Sequence, residues 1–182
     1  MQFDPKEIIL KDGRKCILRP ATAEDAEVLV KYLKETAGET EYLLRYPDEI
    51  NLTVEDEQAF LGRILDDPGA VMMVATIDGN MAGNCSISGS GAKRKMRHRC
   101  TLAIALYKEY WHLGNGTAMI AHLAELARLM GYQQMDLEVV AENTMAQALY
   151  AKCGFMESRR RHHALRFDDG SMHDEILMYR EL

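Results

Sequence analysis

The chain has 182 residues, of which 47% are hydrophobic and 27% are charged, as expected for one globular domain, residues 1–182, with a substantial core. Its formal net charge of -6 argues against a nucleic-acid partner. No apolar run approaches the ~18 residues that cross a membrane, and the first residues are charged, so we expect a cytoplasmic protein with no membrane partner.

The first half of the chain predicts a strand pair followed by two helices. Strands at Ile8–Leu10 and Lys15–Arg19 flank the turn Asp12-Gly13. The helices are predicted to begin after Thr22 and Thr53, because each threonine can cap a helix and is followed three residues later by an aspartate.

The second half predicts further strands, and only one pair of them needs to be parallel. Cys100–Leu106 and Met135–Val140 are joined by a predicted helix, Thr117–Met130, which is the connection that parallel strands require. The other predicted elements are strands 71–77, 81–90, 155–166 and 171–179, connected by hairpin turns, and a helix at 143–152. The order therefore predicts a mixed α/β sheet that is mostly antiparallel, and it argues against a Rossmann dinucleotide fold.

The side chains that bind metals or form disulfides show no recognised spacing. The four cysteines form no CxxC pair, so we expect buried free thiols. Six histidines are present without an HExxH pattern, and we therefore expect no metal.

A glycine-rich turn, Trp111 to Gly116, lies between a predicted strand and a predicted helix. Glycines let the backbone approach a ligand closely, and the N–H groups of a helix's first turn point outward at it. The helix dipole favours an anion at the same place. The turn therefore indicates a phosphate site, although two glycines alone equally suit an ordinary helix start.

Together with two downstream segments, this turn resembles the signature of the GNAT superfamily of N-acetyltransferases. That signature reads Gln/Arg-x-x-Gly-x-Gly/Ala between a strand and a helix, then an Asn, then Ala-Leu-Tyr-x-x-x-Gly-Phe. The chain carries Gly114-Asn115-Gly116, Asn143, and Ala148-Leu149-Tyr150 followed by Gly154-Phe155. It departs from the pattern at Trp111, which removes a side chain suited to contact a pyrophosphate and leaves the backbone donors.

The resemblance implies acetyl-CoA as cosubstrate and a fold in which the two parallel strands splay apart at its site, flanked by about four helices. The pyrophosphate would bind backbone N–H groups at the helix start. The pantetheine arm would bind the backbone of the preceding strand and Asn143, which also suits a helix N-cap. The implied acetyl-CoA residues are Ile104, Ala105, Leu106, His112, Leu113, Gly114, Asn115, Gly116, Thr117, Asn143 and Tyr150.

The implied chemistry is direct acyl transfer from a thioester to an amine, without a cysteine nucleophile. An amine attacks only when it is neutral, so a base has to take its proton. The resemblance makes Glu138 that base, whereas its strand position also suits a solvated carboxylate. It makes Tyr150 the acid that protonates the departing CoA thiolate, although the spacing alone suits a packed aromatic residue.

The acceptor is expected to be a primary amine of a small molecule or amino acid. In the superfamily the loop between the first two helices borders the acceptor site, which makes Glu41 and Tyr42 candidate substrate contacts, although an ordinary surface loop is the simpler interpretation. Acetylation of a protein N terminus, of the ribosomal-protein type, is the alternative, and a non-catalytic acyl-CoA-binding module is an alternative of another class. A homodimer is compatible with the resemblance, and the sequence identifies no interface.

Overall fold

The computed structural model describes residues 2–91 and 93–182, which form one eight-stranded sheet and four α-helices. The strands are β1 (Lys6–Ile9), β2 (Lys15–Pro20), β3 (Ala70–Ile77), β4 (Asn80–Gly89), β5 (Arg99–Leu106), β6 (Gln134–Val140), β7 (Met156–Arg166) and β8 (Met172–Glu181). The helices are α1 (Ala26–Glu39), α2 (Val54–Asp66), α3 (Asn115–Leu129) and α4 (Thr144–Lys152). None of these helices is long and apolar enough to span a membrane.

The strands lie in the order β1-β2-β3-β4-β5-β6-β8-β7, and every neighbouring pair is antiparallel except β5 and β6. The predicted mixed, mostly antiparallel sheet with one parallel pair is therefore confirmed. In the sheet, β8 lies between β6 and β7, although it follows β7 in the sequence. The succession of elements in the sequence does not predict this arrangement.

The two predicted helix starts are built as expected, with one shift. Asp56 accepts hydrogen bonds from the backbone N and Oγ1 of Thr53, and α2 follows directly. Asp25 accepts the same pair of bonds from Thr22, but a short 3-10 turn separates Thr22 from α1. Both caps satisfy backbone donors that a helix start leaves without partners.

The sheet buries both of its faces, as the side chains of β3 show. Val71 and Met73 belong to the cluster that contains the buried face of α3, while Met72 and Val74 belong to the cluster formed with α1 and α2. Successive strand residues point to opposite faces, so a continuous apolar strand can serve two helical layers. The sheet is thus a central layer covered by helices on both faces, and this packing holds the strand ends in place.

The parallel pair is joined at one end and open at the other. β5 and β6 pair over only three residues, from Arg99 opposite Gln134 to Thr101 opposite Asp136. Arg99 holds this closed end with a two-pronged ion pair to Asp136, in which the Nε and Nη2 atoms each lie 2.8 Å from Oδ2. Beyond it β5 follows β4 and β6 follows β8, so the predicted splay is present.

Gly83 on β4 shows how closely β4 packs against the end of β5. A Cβ at this position would lie 2.6 Å from the carbonyl oxygen of Ala105 and 2.3 Å from a side-chain carbon of Leu106. No side chain fits at such distances, because real Cβ contacts essentially never fall below about 3 Å. Glycine therefore lets β4 lie directly against the last residues of β5 and fixes their position.

Candidate functional site

The open end between β5 and β6 leads into a cavity of about 780 Å³. Its walls come from the splayed ends of both strands, the glycine-rich turn, α4, and the loop between α1 and α2. A volume of this size is typical of a small-molecule or cofactor site. Since the residues that resemble an acetyltransferase signature lie along these walls, the cavity is the candidate active site.

The glycine-rich turn reverses the chain with two left-handed residues. His112 has φ 65° and Gly114, the residue before α3, has φ 96°. Histidine is among the side chains found more often in this region, whereas glycine adopts it without cost. Helix α3 consequently starts at Asn115, two residues before the predicted Thr117.

The first turn of α3 presents backbone N–H groups to the cavity. Gly114 to Thr117 line it, and the first N–H groups of a helix have no partner within the helix. At Gly116 a Cβ would lie 3.2 Å from Leu149 and 3.3 Å from Leu106, so a larger residue would crowd this wall. His112 also lines the cavity, whereas Leu113 packs against the main core.

Asn115, the first residue of α3, has a buried side-chain donor without a partner in the described structure. The residue is only 1% exposed and lines the cavity, yet its side-chain Nδ2 has no hydrogen-bond partner in the described structure. Leaving a buried donor unsatisfied costs about 1–3 kcal/mol. This Nδ2 is shielded from the cavity space, so it is the backbone N–H groups of the turn that fit the phosphate-bearing part of acetyl-CoA.

Trp111 has a structural role at the head of the turn. Its indole Nε1 donates a 2.9 Å hydrogen bond to the carbonyl oxygen of Leu106, the last residue of β5. The ammonium of Lys108 lies 5.8 Å from the centre of the indole ring, which is cation–π distance. Trp111 therefore ties the turn to the strand, and its single side-chain donor is already used.

The strand end that would bind a pantetheine arm also faces the cavity. Ile104, Ala105 and Leu106 line it, and beyond Thr101 β5 has a strand partner only on its β4 side. Apart from the carbonyl oxygen of Leu106, which accepts the Trp111 bond, backbone groups on the other edge are consequently available within the described part of the sheet. An extended chain carrying amides is the type of ligand that such an edge accepts.

Asn143 caps α4, as predicted. Its Oδ1 accepts a 3.1 Å hydrogen bond from the backbone N of Ala146. The residue also lines the cavity, so its Nδ2 remains the group for a contact with a ligand. The cap thereby fixes the direction of the side chain relative to the cavity wall.

Tyr150 lies on α4. Its ring is buried, and the residue forms part of the cavity wall. It is 8% exposed, and its ring meets that of Phe155 edge-on at 6.0 Å between centroids. Burial raises the pKa of Tyr150 to about 12. The phenol therefore keeps its proton at neutral pH and can donate it.

Two carboxylates meet at the β6 side of the cavity. Glu138 projects from β6 between the buried Leu137 and Val139, as the strand alternation predicted, and Glu175 lies on β8 opposite Val140. Arg161 of β7 forms ion pairs with both, at 3.3 Å to Glu138 and more closely to Glu175.

The two carboxylates differ in their surroundings. The Glu138 side chain is 49% exposed and that of Glu175 is 12% exposed. Burial, followed by repulsion from Glu138, raises the pKa of Glu175, although Arg161 opposes the effect. Sequence reasoning singled out Glu138 and missed Glu175, because no local pattern shows which strand lies beside β6.

The loop between α1 and α2 forms the remaining wall. Tyr42 lines the cavity with Leu43 and Leu44, whereas Glu41 lines a smaller adjoining cleft. The loop is fastened to the β7–β8 turn, because the Tyr46 hydroxyl accepts a 2.9 Å hydrogen bond from the backbone N of Asp168.

The four cysteines are absent from the described lining of the cavity. Burial raises the pKa of Cys16 to about 11 and that of Cys100 to about 12, and it also raises the pKa of Cys85 and Cys153. All four therefore hold protonated thiols at neutral pH, which are poor nucleophiles. Among residues 2–91 and 93–182, no cluster of three or more His, Cys, Asp or Glu side chains is arranged to hold a metal.

Comparisons with known proteins identify the family to which the chain is similar. The model of the Acetyltransferase (GNAT) family matches residues 29–155. An acetyltransferase of Pseudomonas aeruginosa is 27% identical over 154 residues, which cover 82% of this chain and 80% of that protein.

Solved structures show the same fold. A GNAT-family acetyltransferase of Streptococcus pneumoniae has a TM-score of 0.87 and 27% identity, over 92% of this chain and 99% of that chain. A phosphinothricin acetyltransferase of Sinorhizobium meliloti in complex with acetyl-CoA has a TM-score of 0.80 and 20% identity, over 92% of this chain and 88% of that chain. Because the family match spans well over half of its residues, the chain belongs to the acetyltransferase (GNAT) family and is an acetyltransferase that uses acetyl-CoA.

Proposed function

We propose that the protein moves the acetyl group of acetyl-CoA directly to the primary amine of a small molecule. The observation that carries the proposal is the single cavity that joins three features. The first turn of α3 lies at one wall, the buried phenol of Tyr150 lies on α4, and a pair of carboxylates lies beside the splayed strands.

The proposed mechanism begins with the acceptor amine losing a proton. A primary amine is mostly protonated at neutral pH, since its pKa is about 10. The Glu138–Glu175 pair can bind the ammonium and take its proton, which leaves a neutral nucleophile. Acetyl-CoA supplies the acetyl group, and the C–N bond forms at its carbonyl carbon as the C–S bond breaks.

The mechanism has to account for two protons that leave the acceptor nitrogen. Conversion of an ammonium into an amide removes two protons from nitrogen, of which one ends on the CoA sulfur and one in water. Tyr150 donates the proton to the departing thiolate and is re-protonated from the reaction's released protons. Glu138, the more exposed carboxylate, is suited to pass the other proton to solvent.

Glu175 is the stronger candidate for the first proton transfer. A general base works best when its pKa approaches the working pH, and burial raises the pKa of Glu175 in that direction. Glu138 is the carboxylate that the sequence analysis assigned to this step. Since the two side chains share Arg161, we propose that they act as a pair.

The charges and apolar residues of this wall favour a cationic amine with an apolar substituent. Glu138 and Glu175 contribute negative charge, and the nearby Arg161 is already paired with both. Apolar side chains also line the cavity, among them Leu43, Leu44, Met145 and Leu165, next to the polar Thr36, Thr40 and Tyr42. An amine without its own carboxylate fits this wall better than an amino acid does.

The fastening of the α1–α2 loop also favours a small molecule over a polypeptide. The hydrogen bond between Tyr46 and Asp168 joins the α1–α2 loop, part of which lines the cavity, to the β7–β8 turn. A peptide acceptor needs an open groove, so N-terminal acetylation of a protein is the second candidate, favoured by Glu138, Asn143 and Tyr150 together.

The direct test is thiol release from acetyl-CoA against a panel of arylalkyl and alkyl amines, amino acids and short peptides. We expect release with apolar primary amines and little with amino acids. Preferred release with peptides would establish the second candidate. CoA binding without thiol release across the panel would contradict an enzymatic role for this cavity and favour an acyl-CoA-binding module.

Replacement of Tyr150 by Phe removes the proposed acid and retains the packing against Phe155. Turnover is expected to fall by roughly ten-fold or more, the usual scale for a lost acid catalyst, with CoA affinity nearly unchanged. Tyr179→Phe, on β8 and outside the cavity lining, is the control. Equal turnover in the Tyr150 variant and the control would remove Tyr150 from the mechanism.

The carboxylate pair predicts a specific change in the pH dependence of kcat/KM for an amine found in the panel. Activity should rise with pH as Glu175 loses its proton. Glu138→Gln removes the neighbouring repulsion, lowers the pKa of Glu175, and should move this rise to lower pH.

The variant Glu175→Gln should abolish the rise and lower activity by about 100-fold, as for a lost general base. Glu181→Gln, an exposed carboxylate on the same strand, is the matched control and should leave the profile unchanged. A wild-type profile in the Glu175 variant would exclude Glu175 as the proton acceptor.

A further inference from the structure

Position 111 lacks the basic or amide side chain that the acetyl-CoA signature places at the head of the glycine-rich turn. Trp111 has one polar side-chain atom, and that atom already donates to Leu106. A dianionic pyrophosphate is bound more strongly when a cationic side chain supplements backbone donors. Any cationic contact to a pyrophosphate at this turn therefore has to come from another residue.

Lys11, from the turn between β1 and β2, lies directly beside it. Its backbone N donates a 3.0 Å hydrogen bond to the carbonyl oxygen of Leu113. Its side-chain carbons Cγ and Cε pass 3.8 and 3.9 Å from the position that a Cβ on Gly114 would take. The backbone bond joins two segments that are 102 positions apart in the chain, and the side chain runs along the turn to the cavity wall.

The charge of Lys11 is available for a ligand. The neighbouring carboxylate, Asp12, is held by Arg14 at 2.8 Å, and the hydrogen bonds from Arg14 lower the pKa of Asp12. No ion-pair partner of the Lys11 ammonium occurs among residues 2–91 and 93–182. By contrast, Lys15 on β2 is paired with Glu7 at 3.1 Å.

A second feature of the same wall indicates that the missing partner is an anion. The first turn of α3 follows Gly114 directly, and Gly114 to Thr117 line the same cavity as Lys11. The first N–H groups of a helix and a lysine ammonium are both pure donors, so the ligand group that they share has to be an acceptor.

We propose that Lys11 binds the pyrophosphate of coenzyme A and supplies, from the β1–β2 turn, the side-chain contact that Trp111 does not make. This inference rests on the proposed function, since it concerns the same cosubstrate. The turn between β1 and β2 is then part of the acetyl-CoA site.

Calorimetric binding of CoA to the full chain tests the inference without requiring turnover. Lys11→Met keeps most of the side-chain stem and removes the charge, and we expect its Kd for CoA to rise about ten-fold, the scale of one charge-assisted hydrogen bond. Lys11→Arg should retain most of the affinity. Lys15→Met, the loss of a paired lysine on the next strand, is the matched control and should bind as the wild type does.

The choice of ligand separates the phosphate groups. The loss in Lys11→Met should persist with dephospho-CoA, which lacks the 3′-phosphate, and should disappear with pantetheine, which has no phosphate. Equal CoA affinity in Lys11→Met and the wild type would overturn the inference and leave the proposed function standing. An equal loss for pantetheine would overturn it too, and failure of the wild type to bind CoA would overturn both proposals.

Discussion

The site depends on the point at which β5 and β6 stop pairing. Arg99 and Asp136 hold the two strands together at one end, and beyond Thr101 each strand follows its antiparallel neighbour instead. A parallel pair that separates leaves backbone groups without strand partners, which is tolerated only where solvent or a ligand can satisfy them. The cavity, the exposed strand edge and the approach to the helix start all follow from this separation.

Charge is distributed along the cavity in a way that matches a transfer between two unlike ligands. Lys11 and the first turn of α3 supply donors at one wall, while Glu138 and Glu175 supply acceptors at the β6–β8 wall. Tyr150 is buried on α4, with a pKa high enough to keep its proton at neutral pH. An anionic cosubstrate and a cationic acceptor can therefore be held by different walls of one cavity.

Much of this arrangement is predictable from the sequence because it is local. Short stretches of sequence determine the hairpin turns, the strand–helix–strand unit, and the helix caps at Thr22, Thr53 and Asn143. These local features were enough to predict the fold class. The start of α3 was placed two residues late, because Asn115 and Gly116 are weak helix formers whose burial comes from tertiary packing.

The parts of the site that the sequence did not reveal depend on long-range pairing. Glu175 meets Glu138 only because β8 inserts between β6 and β7, whereas chain order would place β7 beside β6. Lys11 reaches the glycine-rich turn through a hydrogen bond to Leu113, far away in the chain. The central claim, that CoA lies along the turn and the free edge of β5, is tested most directly by amide hydrogen exchange with and without saturating CoA. The account predicts slower exchange at residues 104–106 and 112–117, and protection confined to other segments would contradict it.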